Sequence, residues 1–304
     1  MGLKGIFKNS SGFVQFILFI GIIIIGSVVG SIVSLFLISL KSGFNVEVMS
    51  EIMTNLTDYP LYLREIEFLS QLGTFIFPAL LAAYLFSENY KEYLYLNTPF
   101  KSSIVFWAML SMILVQPFLN LITQWNQQMV LPDFMKSVED YIKSMEEAGI
   151  KLTKAMLHAE NVQAIIFNIL IIAIFAAIGE EFVFRGVLQR IFGQVIRNKH
   201  IIIWSVAFIF SFIHFQFYGF VPRLLMGAYF GYLLDYTKNL WIPILAHFTN
   251  NILGVMLFTI YQDDPKQMEA MDNLGSGSTW WLSVLSLLLF IFAFQQIRKQ
   301  RTVE

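Results

Sequence analysis

Apolar residues along this chain fall into eight blocks separated by polar stretches. The first three run from Phe13 to Leu40, from Phe68 to Phe86 and from Ser103 to Thr123. The fourth opens at Ala164 and stays helix-compatible to Ile196. The rest run from Ile201 to Phe217, Phe220 to Tyr236, Leu240 to Tyr261 and Trp280 to Ile297. A helix crosses the hydrocarbon core with about 20 apolar residues. The pattern therefore predicts an all-α polytopic membrane protein with eight transmembrane helices. Pro78 and Pro117 are predicted to kink the second and third, which neighbouring helices can absorb. The fourth block is too long for one simple span, so a turn or interfacial helix is expected near its Arg-rich end. Gly227 and Gly231 form a small-xxx-small pair that permits close helix contact. Between blocks, Gln124 to Asn161 reads as an amphipathic element on or near the membrane. Gln262 to Thr279, acidic and then Gly-Ser-rich, reads as a flexible loop.

Composition agrees with a membrane solvent. Of 304 residues, 57% are hydrophobic and 13% charged, with a formal net charge of −1. That charge fraction is about half the usual share of a soluble domain, and the near-neutral total gives no reason to expect nucleic acid. Cysteine is absent, which excludes disulfides, thiolate metal sites and a cysteine nucleophile. The weakly basic stretch Met1 to Lys8 precedes an apolar run too long for a signal-peptide core, so a retained anchor is expected. Lys4, Lys8, Lys91, Lys101, Arg190, Arg197, Lys199, Lys238, Arg298, Lys299 and Arg301 fall on one face of an eight-span topology, and acidic residues enrich the other. By the positive-inside rule both termini face the cytoplasm of a cell (inner or plasma) membrane. No internal repeat is visible, which weighs against a transporter.

Ionisable groups inside apolar blocks mark candidate function, because a charge in hydrocarbon costs at least a few kcal/mol. The sharpest stretch is Gly179-Glu180-Glu181-Phe182-Val183-Phe184-Arg185. Adjacent residues on a helix point about 100° apart, so the two carboxylates serve different jobs. Arg185 lies one turn past Glu181 and is its natural ion partner, leaving Glu180 freer to act as a general base. The plainer alternative is a structural charge cluster at a helix end. His214, in an almost wholly apolar run, is either a second base or a histidine bonded within a helix interface. His247 and Asn251, at i and i+4, either donate to a developing oxyanion or glue helices together. Asn250, on another face, is the weaker candidate, and His158 and His200 read as ordinary. Depth allows the groups to meet. His214 lies about 20 Å into its block and His247 about 10 Å into its own, at 1.5 Å per residue. A water-filled cavity open to the cytoplasm would be required.

The set Glu180-Glu181-x-x-x-Arg185, Phe210-x-x-x-His214 and His247-x-x-x-Asn251 resembles the three signature motifs of the CPBP family. These are the CAAX-processing-type intramembrane proteases, also called the Abi family. The resemblance covers Ala164 to Tyr261, with no departure inside the motifs. It divides the chain into 1–163 (helices one to three and the amphipathic loop), 164–261 (a catalytic core of helices four to seven) and 262–304 (the acidic, Gly-Ser-rich loop and last helix). It implies an intramembrane endopeptidase acting on a membrane-embedded peptide or protein. In it Glu180 and His214 activate water, His247 and Asn251 hold the oxyanion, and Glu181 and Arg185 support them. It implies metal-free, glutamate-dependent hydrolysis with no cofactor. Zinc on Glu180, His214 and His247 is the alternative, disfavoured by the absence of an HExxH helix and by the poor ligand Asn251. Two other readings stand beside it. One is a non-proteolytic immunity or scaffold protein of the same family. The other is a proton-coupled carrier using Glu180 and Asp235.

Overall fold

A computed structural model describes residues 3–300; Arg301, of the basic C-terminal cluster, lies outside them. Among the described residues every regular element is helical. The helices are α1 (Gly12–Lys41), α2 (Val46–Thr54), α3 (Pro60–Phe86), α4 (Ser102–Leu114), α5 (Gln116–Gln127) and α6 (Lys136–Leu157). Then come α7 (Val162–Val195), α8 (Lys199–Phe212), α9 (Phe220–Thr237), α10 (Trp241–Tyr261), α11 (Pro265–Asp272) and α12 (Trp280–Lys299). The chain is thus an all-α, multi-pass membrane protein. Among the described residues five helices are long and apolar enough to cross a bilayer, or six if α4 and α5 count as one bent span. The other two expected segments are α8 and α9. At 14 residues, α8 is about 21 Å long, short of the ~30 Å hydrocarbon core. Helix α9 reaches 18 residues but carries Arg223 and Asp235, which lower its apolarity.

Local differences from the sequence reading have physical causes. Helix α7 runs unbroken for 34 residues, without the expected turn near its Arg-rich end. Two π-helical stretches, Ile169–Phe175 and Phe182–Leu188, change its pitch while keeping it continuous. In α3 a π stretch, Leu72–Ile76, precedes Pro78 and accommodates the proline. Pro117, at the start of α5, coincides with a bend of 44° from α4. The stretch 262–279, read as flexible, contains α11. Its signals are local: the Asp264 side chain accepts from the Gln267 N–H, and Pro265 opens the first turn. Helix α2 is likewise capped by Asn45.

The chain divides into two compact units, one of residues 1–97 and 151–197, the other of 98–150 and 198–304. In the first unit α1 packs on α3 through glycines. A Cβ added to Gly73 would lie 2.5 Å from the Gly26 carbonyl oxygen, and one added to Gly26 would collide with the Gly73 carbonyl. Ser27 and Thr74 share a hydrogen bond of 2.9 Å beside this crossing. The end of α7 returns to the start of α1, where Gln194 donates to Gln15 at 2.7 Å. The N-terminal segment is tied to the end of α3 by Gly5 N–H donating to Tyr84 O and by the Lys8–Glu88 ion pair. Arg190 stacks between Tyr93 and Tyr95, at 4.6 and 5.0 Å, and donates to the Tyr93 carbonyl at 2.6 Å.

In the second unit a core of Ile104, Ala108, Met112, Val115, Tyr229, Phe230, Leu233, Ile242, Ala246 and Ile297 joins α4, α9, α10 and α12. Helix α9 lies close on α8 because Gly227 leaves room. A Cβ there would lie 3.0 Å from Phe210 and 3.2 Å from Ala207. Asn239, in the α9–α10 connection, donates to the Thr98 carbonyl, and Ser103 bonds Gln300. The start of α4, that connection and the end of α12 therefore lie at one end of this unit.

Gly26→Val and Gly73→Val are expected to destabilise the protein by about 1–3 kcal/mol or more, the usual cost of overpacking. Gly21→Ala, whose Cβ would meet nothing within 4 Å, should leave stability unchanged or slightly raised. Thermal unfolding in detergent distinguishes the three.

Candidate active site

The motif residues divide between the two units. In the first, α7 carries Glu180, Glu181 and Arg185 at the junction of its α-helical turn Ala176–Glu181 with the π stretch Phe182–Leu188. Every residue from Gly179 to Leu188 is buried. Glu181 and Arg185 have no exposure at all, and Glu180 has 9%. The expected pair forms: Arg185 Nη1 donates to Glu181 Oε1 at 2.9 Å. In a buried site such a pair is retained because leaving either charge alone is costly. The reason for glycine at 179 is the approach of α3. A Cβ there would lie 2.9 Å from Phe75 Cβ and 3.2 Å from Ile76 Cγ1. Gln71 of α3 completes this neighbourhood. Its Nε2 donates to Glu67 at 2.7 Å, and its Oε1 lies 3.6 Å from the position of a Gly179 Cβ. The sequence reading passed over Gln71, though a buried glutamine four residues after a glutamate in an apolar block was a usable signal.

In the second unit His214 does not sit inside a helix. Helix α8 ends at Phe212, five residues before the expected end at Phe217. His214 lies in the turn that follows, beside Phe215, whose φ of 51° puts a bulky residue in the left-handed region. His214 Nδ1 is 2.7 Å from the Phe210 carbonyl oxygen. A carbonyl only accepts, so Nδ1 carries the proton and Nε2 is the basic nitrogen of the neutral ring. His247, 5% exposed on α10, stacks on Phe230 with centroids 4.9 Å apart and planes at 18°. The Phe210 ring packs edge-on against both histidines, 5.1 Å from His214 and 6.0 Å from His247. One turn past His247, Asn251 Oδ1 accepts from Asn250 Nδ2 at 3.2 Å, and Asn250 Oδ1 accepts from Gln116 Nε2 at 3.2 Å. Asn250, set aside from sequence, thus fixes the amide orientation of Asn251, with Gln116 behind it.

The remaining candidates have other partners. Asp235 is bound to Lys199 at 2.9 Å and Lys238 at 3.3 Å, which weakens the carrier reading. His200 Nδ1 bonds the Tyr232 hydroxyl at 2.7 Å. His158 is exposed, and its carbonyl accepts from Arg64 at 2.6 Å. Among the described residues no three His, Cys, Asp or Glu side chains are grouped as a metal site.

Residues 162–253, which contain all seven motif residues, match the family model described as type II CAAX prenyl endopeptidase Rce1-like. The similarity to that family lies in this segment. The resemblance to CAAX-processing proteases read from the motifs is borne out over it. The uncharacterized protein YpbD of Bacillus subtilis (strain 168) is 31% identical over 107 residues, 34% of this chain and 49% of the relative. The chain thus spans about half the length of the curated relative it matches. No solved structure matches the chain.

Arg185→Met is expected to destabilise the protein by about 3–5 kcal/mol, because it strands the Glu181 carboxylate in a buried site. Glu181→Gln combined with Arg185→Met should recover more than half of that loss. A double-mutant cycle on thermal unfolding in detergent checks this, and additive losses would contradict it.

Proposed function

We propose that this protein is an intramembrane endopeptidase that hydrolyses a peptide bond in a membrane-associated peptide or protein. The observation that carries the reading is that one Rce1-like segment contains both a buried Glu180 beside the Glu181–Arg185 pair and, on a separate element, a His214 whose Nδ1 is committed to the Phe210 carbonyl. Such a histidine presents Nε2 as a proton acceptor. In the proposed reaction Glu180 and His214 draw a proton from water as its oxygen attacks the scissile carbonyl carbon. The tetrahedral oxyanion takes hydrogen bonds from His247 and from the Asn251 amide NH2, which Asn250 orients. The C–N bond then breaks, and the proton taken from water passes to the leaving amine. Glu181 is paired with Arg185, and the proposed reaction assigns proton acceptance on this helix to Glu180.

The reading takes the reaction as metal-free and the setting as a cell membrane with both termini cytoplasmic. The orientation draws support from the basic residues near Lys8 and Lys91 in the first unit and near Lys101, Lys238 and Arg298 in the second. Each set lies at the end of its unit that holds the chain terminus.

A quenched fluorescent peptide library incubated with the purified, detergent-solubilised protein tests this. Cleavage is expected from the wild type and reduced by about a hundredfold or more in Glu180→Gln and His214→Ala, the range for general acid–base groups. Activity should persist in chelator. Loss in chelator with recovery on added zinc would replace the metal-free reaction by a zinc-dependent one. Cleavage unaffected by Glu180→Gln would end the glutamate-based reading.

A further inference from the structure

The turn bearing His214 is held by side chains outside the Rce1-like segment. After Phe212 the chain passes through His214 and Phe215, makes the short 3-10 turn Phe217–Gly219 and enters α9 at Phe220. Several features make this path costly by itself. Phe215 is in the left-handed region, which strains a bulky residue. The first turn of α9 has no side-chain cap of its own, since its N-cap is Gly219, and the leading N–H groups of a helix need acceptors.

Asn126, at the end of α5, fills this role from a distance in sequence. Its side chain is 1% exposed. Its Oδ1 accepts from the Val221 N–H at 2.8 Å, and its Nδ2 donates to the Phe217 carbonyl at 3.0 Å. One amide therefore closes a ring around residues 217–221, using donor and acceptor together. Glu146 of α6 acts beside it. At 7% exposure, its Oε2 accepts from the Tyr218 N–H at 3.2 Å. Helix α6 lies close enough to the turn that a Cβ on Gly149 would sit 3.6 Å from Gln216 Nε2. On the other side Arg223 donates to the Gln216 carbonyl at 2.9 Å. Burying a carboxylate and an amide against bare backbone is a costly way to fix a loop, and here the loop is the one bearing His214.

We propose that Asn126 and Glu146 are positioning residues for His214. They lock the 214–221 turn so that Nδ1 stays on the Phe210 carbonyl and Nε2 stays aimed as a base. The proposal rests on the hydrolase reading for its consequence in catalysis, but not for its structural content. It also assigns a task to the α5–α6 segment, which the family match does not reach.

The test uses the full-length protein in detergent, labelled with 15N-histidine. The variants are Asn126→Ala, Glu146→Ala and Glu146→Gln, with His214→Ala to assign the His214 signals. Wild type and Glu146→Gln, whose amide oxygen still accepts from Tyr218, should show His214 as the single Nδ1–H tautomer. They should also share the same kcat within about twofold. Both alanine variants should lose the single tautomer. Their kcat should fall roughly ten- to hundredfold, with KM changed by less than about threefold, the signature of a displaced reacting group. Wild-type tautomer and kcat in both alanine variants would overturn the proposal. So would a Glu146→Gln as impaired as Glu146→Ala, or a loss that appears only in KM. If Asn126→Ala does not fold, the Glu146 pair decides alone. If the wild type cleaves nothing, the hydrolase reading fails, while the tautomer comparison still decides whether these residues hold His214.

Discussion

The charge that this protein hides most completely is Arg185, and its partner Glu181 is one turn away on the same helix. Neither has any exposed surface. Inside a membrane-crossing helix an unpaired guanidinium or carboxylate would carry a large desolvation cost, so each requires the other. That requirement fixes the local geometry of α7. It sets the pair on one face, and Glu180, adjacent to Glu181 on the helix, lies on a different one. It also calls for close packing around the pair, which Gly179 permits by admitting α3 to its surface.

Irregular helix geometry accompanies several of the polar groups that enter apolar segments. The π stretch of α7 begins at the residue after Glu181 and contains Arg185. Another π stretch lies in α3, directly after Gln71. In α8 the helix stops altogether, and His214 emerges from the turn beyond it. A regular helix uses its own carbonyls internally. A π stretch or a helix end turns backbone groups outward and lets a side chain use them, as His214 uses the Phe210 carbonyl. The site's polarity is therefore built from the backbone as well as from side chains.

Much of this was legible in the sequence. Every apolar block became a helix, the bend at Pro117 and the close contact at Gly227 appeared where expected, and Glu181 chose Arg185 at i+4. These are short-range consequences of residue type: helix periodicity, a missing N–H, a missing Cβ, a charge one turn from its opposite. The ends of elements were less legible. Helix α8 was extended past Phe212 because Ile213, Phe215 and Phe217 continue the apolar pattern, and hydrophobicity alone carries no stop signal. Helix α11 was missed because its Gly-Ser neighbours outweighed the cap formed by Asp264 and Pro265.

The sequence by itself determined the membrane-protein class and the helical elements, and it supplied the groups proposed to move a proton. Those follow from what each residue type costs in hydrocarbon and from spacings of three or four along a helix. Only the tertiary structure decided which backbone carbonyl holds His214, that Asn250 and Gln116 orient Asn251, and that Asn126 and Glu146 grip the turn after His214. Asn126 lies 95 positions from Val221, Glu146 lies 72 from Tyr218 and Gln116 lies 134 from Asn250. No local periodicity links positions so far apart. They meet because packed helices, each satisfied along its own length, leave a few buried donors and acceptors at their ends that only a distant side chain can reach.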